Sequence, residues 1–161
     1  MKKLIAMCAV FTLFIPAGMT KTSQDSAKPL TDTDIQLLRS DVNANKQTII
    51  ADTMKFTDAE STRFWPVYRD YAHDQSKIGD ELVQLIKDYA SNYETMSDDM
   101  ASDLVQRLIN IEDKTNNLRE DYWPKFKTAL GAKRAAKFYQ VDHRLTMIVN
   151  MQLARATPLL P

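Results

Sequence analysis

Residues 57–95 read TDAESTRFWPVYRDYAHDQSKIGDELVQLIKDYASNYET, and their reading decides the fold. Thr57-Asp58-Ala59-Glu60 forms a capping box, in which the threonine oxygen accepts from the N3 amide and the Glu60 carboxylate reaches back to the cap amide. From there Phe64, Tyr68, Tyr71, Gln75, Ile78, Leu82, Leu85 and Tyr89 follow at alternating spacings of four and three residues. That is a heptad-like seam along one helix face. It runs out at the polar cluster Thr95-Met96-Ser97-Asp98. A helix from 58 to about 95 is about 57 Å long, whereas a compact domain of about 140 residues is under about 40 Å across. The rod does not fit in a ball, so the molecule is expected to be elongated.

A second rod follows. Ser97 or Asp98 caps it, and Ala101, Leu104, Leu108, Ile111, Thr115, Leu118 and Tyr122 repeat the same spacing before Gly131 ends it. Upstream, Thr31-Asp32-Thr33-Asp34 offers capping oxygens, and Ile35, Leu38, Val42 and Ile49 recur at helical intervals. Downstream, Phe138, Val141, Leu145 and Ile148 share a face. The expectation is an all-α fold of four helices. A long bent antiparallel hairpin, over 57–95 and 98–129, is flanked by an N-terminal helix over 32–53 and a C-terminal helix over 132–155. Residues 31–157 form a single domain. Only 3 of the 161 residues are glycine, which suits helices with few connections.

Two segments share a pattern: Phe64-Trp65-Pro66-Val67-Tyr68 and Tyr122-Trp123-Pro124-Lys125-Phe126. Each proline removes a helix hydrogen bond and crowds the carbonyl four residues back, so kinks are expected near Thr62 and Glu120. With the turn centred near residue 96, Trp65 and Trp123 fall within about one helical turn of each other, and paired bends would give the hairpin a concave side. The alternative is that Pro66 opens a new helix as its first residue. The aromatic residues are more readily read as packing than as a ligand box.

The N-terminus is an address. Lys2 and Lys3 precede an apolar run from Leu4 to Ile15 and the turn-prone Pro16-Ala17-Gly18. Residues 1–20 thus read as a secretory signal peptide, cleaved somewhere in 18–24, and 21–30 as a flexible leader. The apolar run is too short to span a bilayer, which takes roughly 20 residues. The only cysteine, Cys8, lies inside it near its start, where a lipoprotein cysteine is not found. The mature chain then has no cysteine, which removes thiol nucleophiles, redox pairs and cysteine zinc sites.

The chain carries 21 basic and 21 acidic residues, which disfavours a nucleic-acid partner. The charges are segregated. Residues 52–121 hold 16 acids and 8 bases, and residues 125–161 hold 7 bases and one acid, Asp142. The basic helix is expected to lie against the acidic hairpin or to present a solvated face. The functional alternative is a basic surface offered to acidic or partly unfolded partners. His73 and His143 each stand beside carboxylates, but without cysteine they do not make a three- or four-ligand zinc site, so no metal and no cofactor are expected. No nucleophile elbow, zincin motif, P-loop or dinucleotide fingerprint is present, and the reading is not an enzyme.

This plan resembles the periplasmic Spy/CpxP group, whose members carry paired Leu-Thr-x-x-Gln motifs opening an early helix and the last one. Phe56-Thr57-Asp58-Ala59-Glu60 is a close variant of the first. Leu130-Gly131-Ala132-Lys133-Arg134 stands at the second, matching in its leucine and position, and Leu30-Thr31-Asp32-Thr33-Asp34 is a partial echo. The similarity covers roughly residues 30–150. It implies a periplasmic, cofactor-free protein of the envelope stress response that forms an antiparallel, cradle-shaped homodimer and holds unfolded clients on a concave basic and apolar face. The expected function is an ATP-independent periplasmic chaperone or stress adaptor. Its partner-binding residues would be Phe64, Trp65, Tyr68, Trp123, Phe126, Lys133, Arg134 and Lys137, with Thr57, Glu60, Pro66 and Pro124 as structural cap and kinks. The alternative is a structural or signalling module that binds one folded envelope protein. A metal-responsive role comes third.

Overall fold

The computed structural model describes residues 45–160. The signal segment, the leader and the first part of the N-terminal helix expected over 32–53 lie outside these residues. Within them every long element is α-helical, and the order is α1 (helical over 45–54), α2 (Asp58–Asn92), α3 (Asp98–Leu130) and α4 (Ala132–Ala156). There is no strand among the described residues.

The helix ends fall where the capping chemistry puts them. Thr57 accepts the Glu60 amide at 3.3 Å, and the Glu60 carboxylate accepts the Thr57 amide at 2.9 Å, so both arms of the capping box form. Ser97 accepts the Met100 amide at 3.3 Å and opens α3. Pro66 and Pro124 both lie inside continuous helix, so Pro66 does not open a new one. The tip differs slightly from expectation. α2 stops at Asn92 and its last turn tightens into a 3-10 turn over Tyr93–Thr95 before the chain reverses at Met96-Ser97.

α2 and α3 run antiparallel, and their register is fixed from end to end. The Arg63 guanidinium donates to the Ala129 carbonyl, the Tyr122 hydroxyl to Asp74, Lys114 to Glu81 and Arg107 to Asp88, at 2.6–2.9 Å. Each pair straddles the turn near 96 symmetrically, as the hairpin arithmetic requires. At 35 residues, α2 alone is about 52 Å long.

α4 folds back from Gly131 along the hairpin. Its C-terminal end lies near the tip, where the Tyr89 and Tyr93 hydroxyls donate to the Pro158 and Leu159 carbonyls at 2.6 and 2.8 Å. α1 runs the other way. Lys46 meets Asp142 of α4, while the Thr53 and Met54 carbonyls accept from Lys137 and Arg134. The core sits at the base of the hairpin, where Ile50, Met54, Phe64, Tyr68, Tyr71, Tyr122, Phe126, Ala135 and Phe138 form one buried cluster drawn from all four helices.

Two backbone positions carry positive φ. Gly131 has φ 78° and ψ 153°, a region that is essentially glycine-only, although a Cβ there would meet nothing within 4 Å. Lys55, with φ 48°, ends α1 in a left-handed cap whose amide donates to the Ala51 carbonyl at 2.9 Å, a position where glycine is the usual choice. The two should therefore respond oppositely to substitution. Gly131→Ala should lower the unfolding free energy by about 1–3 kcal/mol through backbone strain alone. Lys55→Gly should be neutral or stabilising by up to about 1 kcal/mol. Thr57→Ala should cost about 1 kcal/mol. Urea titrations of the three variants check all three values.

Candidate functional site

The residues at the base divide into two groups, rings that build the core and polar groups that thread through it. Phe64 has no exposed surface and touches rings from every side. Phe56 packs on it tilted at 4.4 Å, Phe138 meets it edge-on at 4.9 Å, and Trp65, Tyr68 and Phe126 lie at 5.1–5.6 Å. Phe126 and Phe138 close α3 onto α4 at 4.5 Å.

Of the aromatic residues expected to bind partners, Phe64, Tyr68 and Phe126 are buried. Their ring area is spent on one another, so in this packing they offer a partner no surface. Trp65 and Trp123 are half-buried at the rim of the cluster. The basic residues have comparable employment. Arg134 pairs with the Glu60 carboxylate at 2.6 Å, donates one hydrogen bond to it at 3.0 Å, and donates to the Met54 carbonyl at 2.9 Å. Lys137 donates to the Thr53 carbonyl at 2.7 Å. Both therefore cap the C-terminal end of α1, where the helix dipole favours a cation. Lys133 stands exposed. On α3, Lys125 sits 3.9 Å over the Tyr122 ring and Lys127 5.4 Å over Trp123, so these cations lean on aromatic faces.

The polar thread escapes a sequence reading. Lys46 and Asp142 are buried and paired at 2.6 Å. Asp142 also accepts from the Tyr71 hydroxyl at 2.8 Å, Gln75 donates to that hydroxyl at 3.2 Å, and Lys46 donates to Gln75 at 2.8 Å. The four groups close a ring of three hydrogen bonds and one ion pair that ties α1, α2 and α4 together. Two sequence features mark its members without joining them: Asp142 is the single acid of its basic stretch, and Gln75 interrupts the apolar and aromatic α2 seam. A cleft of about 270 Å³, counting its open mouth, lies on the α3 side of this network, with Arg119, Trp123 and Tyr139 on its walls. The Arg119 Nε atom is buried there without a protein partner, and the enclosed part of the cleft has room for about one water to satisfy it.

Outside the core, large apolar side chains stand in solvent on two stripes. Val105, Leu108 and Ile109 are exposed on α3, and Met147, Ile148 and Met151 on α4, the last three each more than half accessible. Among the described residues no group of three His, Cys, Asp or Glu side chains converges on a metal position, and no helix is long and apolar enough to cross a membrane. Searches of family models, curated proteins and solved structures find no match for this chain.

The titratable groups set a pH window. The Thr57 amide bonded to Glu60, the Tyr122 hydroxyl bonded to Asp74, and the Arg107 guanidinium bonded to Asp88 each hold the carboxyl below its ordinary range. Burial raises Tyr68 and Tyr71, with the Asp142 charge adding to it, and Tyr122 is pushed up to about 12 by burial and its bond to Asp74. Carboxyls with lowered folded values contribute stability above about pH 4, which is lost as the pH falls through those values. Phenols with raised folded values contribute stability below about pH 10, which is lost as the pH rises. The unfolding free energy should therefore form a plateau between about pH 5 and 9.5 and fall on both sides. Tyr68, Tyr71 and Tyr122 should develop their tyrosinate absorbance only together with loss of helical circular dichroism. Ionisation of all six tyrosines ahead of any loss of helix would contradict this assignment.

Proposed function

We propose that this protein is an ATP-independent periplasmic chaperone or envelope stress adaptor, exported through its N-terminal signal segment and holding unfolded proteins by weak apolar contact. The observation that carries the binding reading is the unpartnered apolar surface on the two outer stripes. Val105, Leu108 and Ile109 rise from an α3 face that also holds Glu112 and Asp113, and Met147, Ile148 and Met151 follow Arg144 on α4. Small apolar patches set among charges suit transient contact with chains of varied sequence. Methionine adapts its shape to irregular partners.

The likeness to the Spy/CpxP group draws support from how the two motif-like segments meet. Glu60 and Arg134 are the last residues of the first and second segments, and they form an ion pair at 2.6 Å. At the second segment Gly131 supplies no side-chain cap, and Arg134 turns instead to the capping box of the first. A homodimer that covers one of the apolar stripes belongs to the same proposal. Sedimentation at tens of micromolar should give the dimer mass, and a purely monomeric species would count against it.

The chaperone reading is tested by light scattering of reduced α-lactalbumin without ATP. Several-fold molar excess of the protein should suppress its aggregation. Replacing Met147, Ile148 and Met151 together by Ser should weaken suppression several-fold while leaving the helical circular dichroism in place. Unchanged scattering at that excess would refute the reading.

A further inference from the structure

We propose that the cleft between α3 and α4 is a binding site for a carboxylate carried on a small apolar or aromatic stem, with Arg119 as the group that receives it. This goes beyond the chaperone reading and does not depend on it. The cleft is framed by well-packed parts. Arg119 and Trp123 are one turn apart on α3, and Tyr139 and Asp142 stand opposite on α4. The Phe126–Phe138 contact at 4.5 Å holds the two helices together at this level. Tyr71 of α2 completes the lining.

The charges at this cleft do not balance. Asp142 is the acid of its lining, and both carboxylate oxygens are engaged, Oδ1 by Lys46 at 2.6 Å and Oδ2 by the Tyr71 hydroxyl at 2.8 Å. Arg119 is left over. Its Nη1 donates to the exposed Asn116 side chain at 3.4 Å, and its Nε is buried without a protein partner. Among the described residues no carboxylate pairs with it. The Tyr71 hydroxyl, close enough to feel the Arg119 charge, is already taken by Asp142 and Gln75. Lys46 and Arg119 against Asp142 thus leave one positive charge unmatched. A water accepts from the Nε–H but leaves that charge as it is. A carboxylate meets both needs, because a guanidinium presents a fork of donors to its two oxygens and the bonds are charge-assisted. A phosphate brings three oxygens and more charge than one guanidinium offsets.

The dimensions suit a small ligand. The cleft holds about 270 Å³ with its open mouth, less than the roughly 300–1,000 Å³ of drug-sized sites. Its enclosed end, with room for about one water, accommodates one carboxylate oxygen. The stem then lies in the mouth between Trp123 and Tyr139. Both rings are partly open to solvent. Each is braced by a neighbour one turn on along its own helix, Trp123 by Lys127 at 5.4 Å and Tyr139 by His143 at 6.2 Å. Apolar walls with a single polar group at the inner end are the usual make-up of a small-ligand pocket. A free aromatic acid and an acidic side chain of another protein offer the same chemistry, and the test separates them.

Benzoate, uncharged benzamide and the peptide acetyl-Leu-Glu-Leu-amide are titrated into the full chain. Nuclear magnetic resonance follows the Arg119 Nε–H signal, identified by its absence from Arg119→Lys, and the backbone amides of Trp123 and Tyr139. Benzoate or the peptide should move these signals saturably, and benzamide should bind at least roughly tenfold more weakly. Tighter binding of benzoate assigns the site to a free acid, and tighter binding of the peptide assigns it to a protein chain. Arg119→Lys should weaken the preferred ligand several-fold, because lysine offers a point charge in place of the fork. Arg119→Gln should weaken it at least roughly tenfold, with helical circular dichroism intact. Tyr139→Ser, at the exposed wall, should weaken it while keeping the preference over benzamide. Equal binding of benzamide, or unchanged benzoate and peptide binding in Arg119→Gln, would overturn the proposal. So would signals that none of the three compounds moves at tens of millimolar, because the buried nitrogen would then hold only water. The α-lactalbumin assay decides the chaperone reading separately, whichever way these titrations fall.

Discussion

Phe64 stands where every segment of the described chain converges, and the rest of the arrangement depends on that packing. A two-helix hairpin buries only the facing stripes of its rods. By placing fully buried Phe64 against Phe126 of α3, Phe138 of α4 and Phe56 of the α1–α2 connection, one side chain commits three partners to the base of α2. Edge-on and tilted ring contacts at about 4.5–7 Å add specificity beyond the area they bury. The capping box at Thr57 lies two turns before this residue. It fixes the phase of α2, and the phase decides that positions 64, 68 and 71 all face inward.

The segregated charges are spent largely within the chain. Across the hairpin, Asp88 pairs with Arg107 and Glu81 with Lys114. At the base Arg134 bonds to Glu60 and to the Met54 carbonyl, so one guanidinium joins the end of α1, the start of α2 and the first turn of α4. Its planar fork of donors makes this possible where a lysine would satisfy one acceptor well. Asp142 is spent inward on Lys46 and Tyr71. What remains outside is charge of both signs on the rods, interrupted by the two apolar stripes.

Periodicity and capping made the fold legible. Thr57-Asp58-Ala59-Glu60, the seam from Phe64 to Tyr89, the Ser97 cap and Gly131 each announce their role through local chemistry, and the helix boundaries follow to within a few residues. The site was less legible, for a physical reason. A helical pattern says that Phe64, Tyr68 and Phe126 share inward faces, but not which further helix covers those faces. Once α1 and α4 close over them, rings that look like binding groups become core. Conversely Ile148 shares the α4 face of Phe138, Val141 and Leu145 by spacing, yet it stands exposed beside Met147 and Met151 because the aromatic core it would join lies at the other end of α4. The Lys46–Asp142 pair spans nearly a hundred residues, and no local spacing links its members.

The same packing distributes stability unevenly along the rods. At the base, fully buried rings from α2, α3 and α4 meet two apolar residues of α1. Toward the tip the seam thins to Leu85, Ile86 and Ile111, and the ties become polar: Arg107 to Asp88, and two tyrosine hydroxyls to carbonyls beyond α4. Exposed or half-exposed polar ties contribute little net free energy each, whereas each buried ring at the base contributes a few kcal/mol. Local opening should therefore begin at the tip while the aromatic base persists. A molecule built this way can yield surface at its tip without losing its fold.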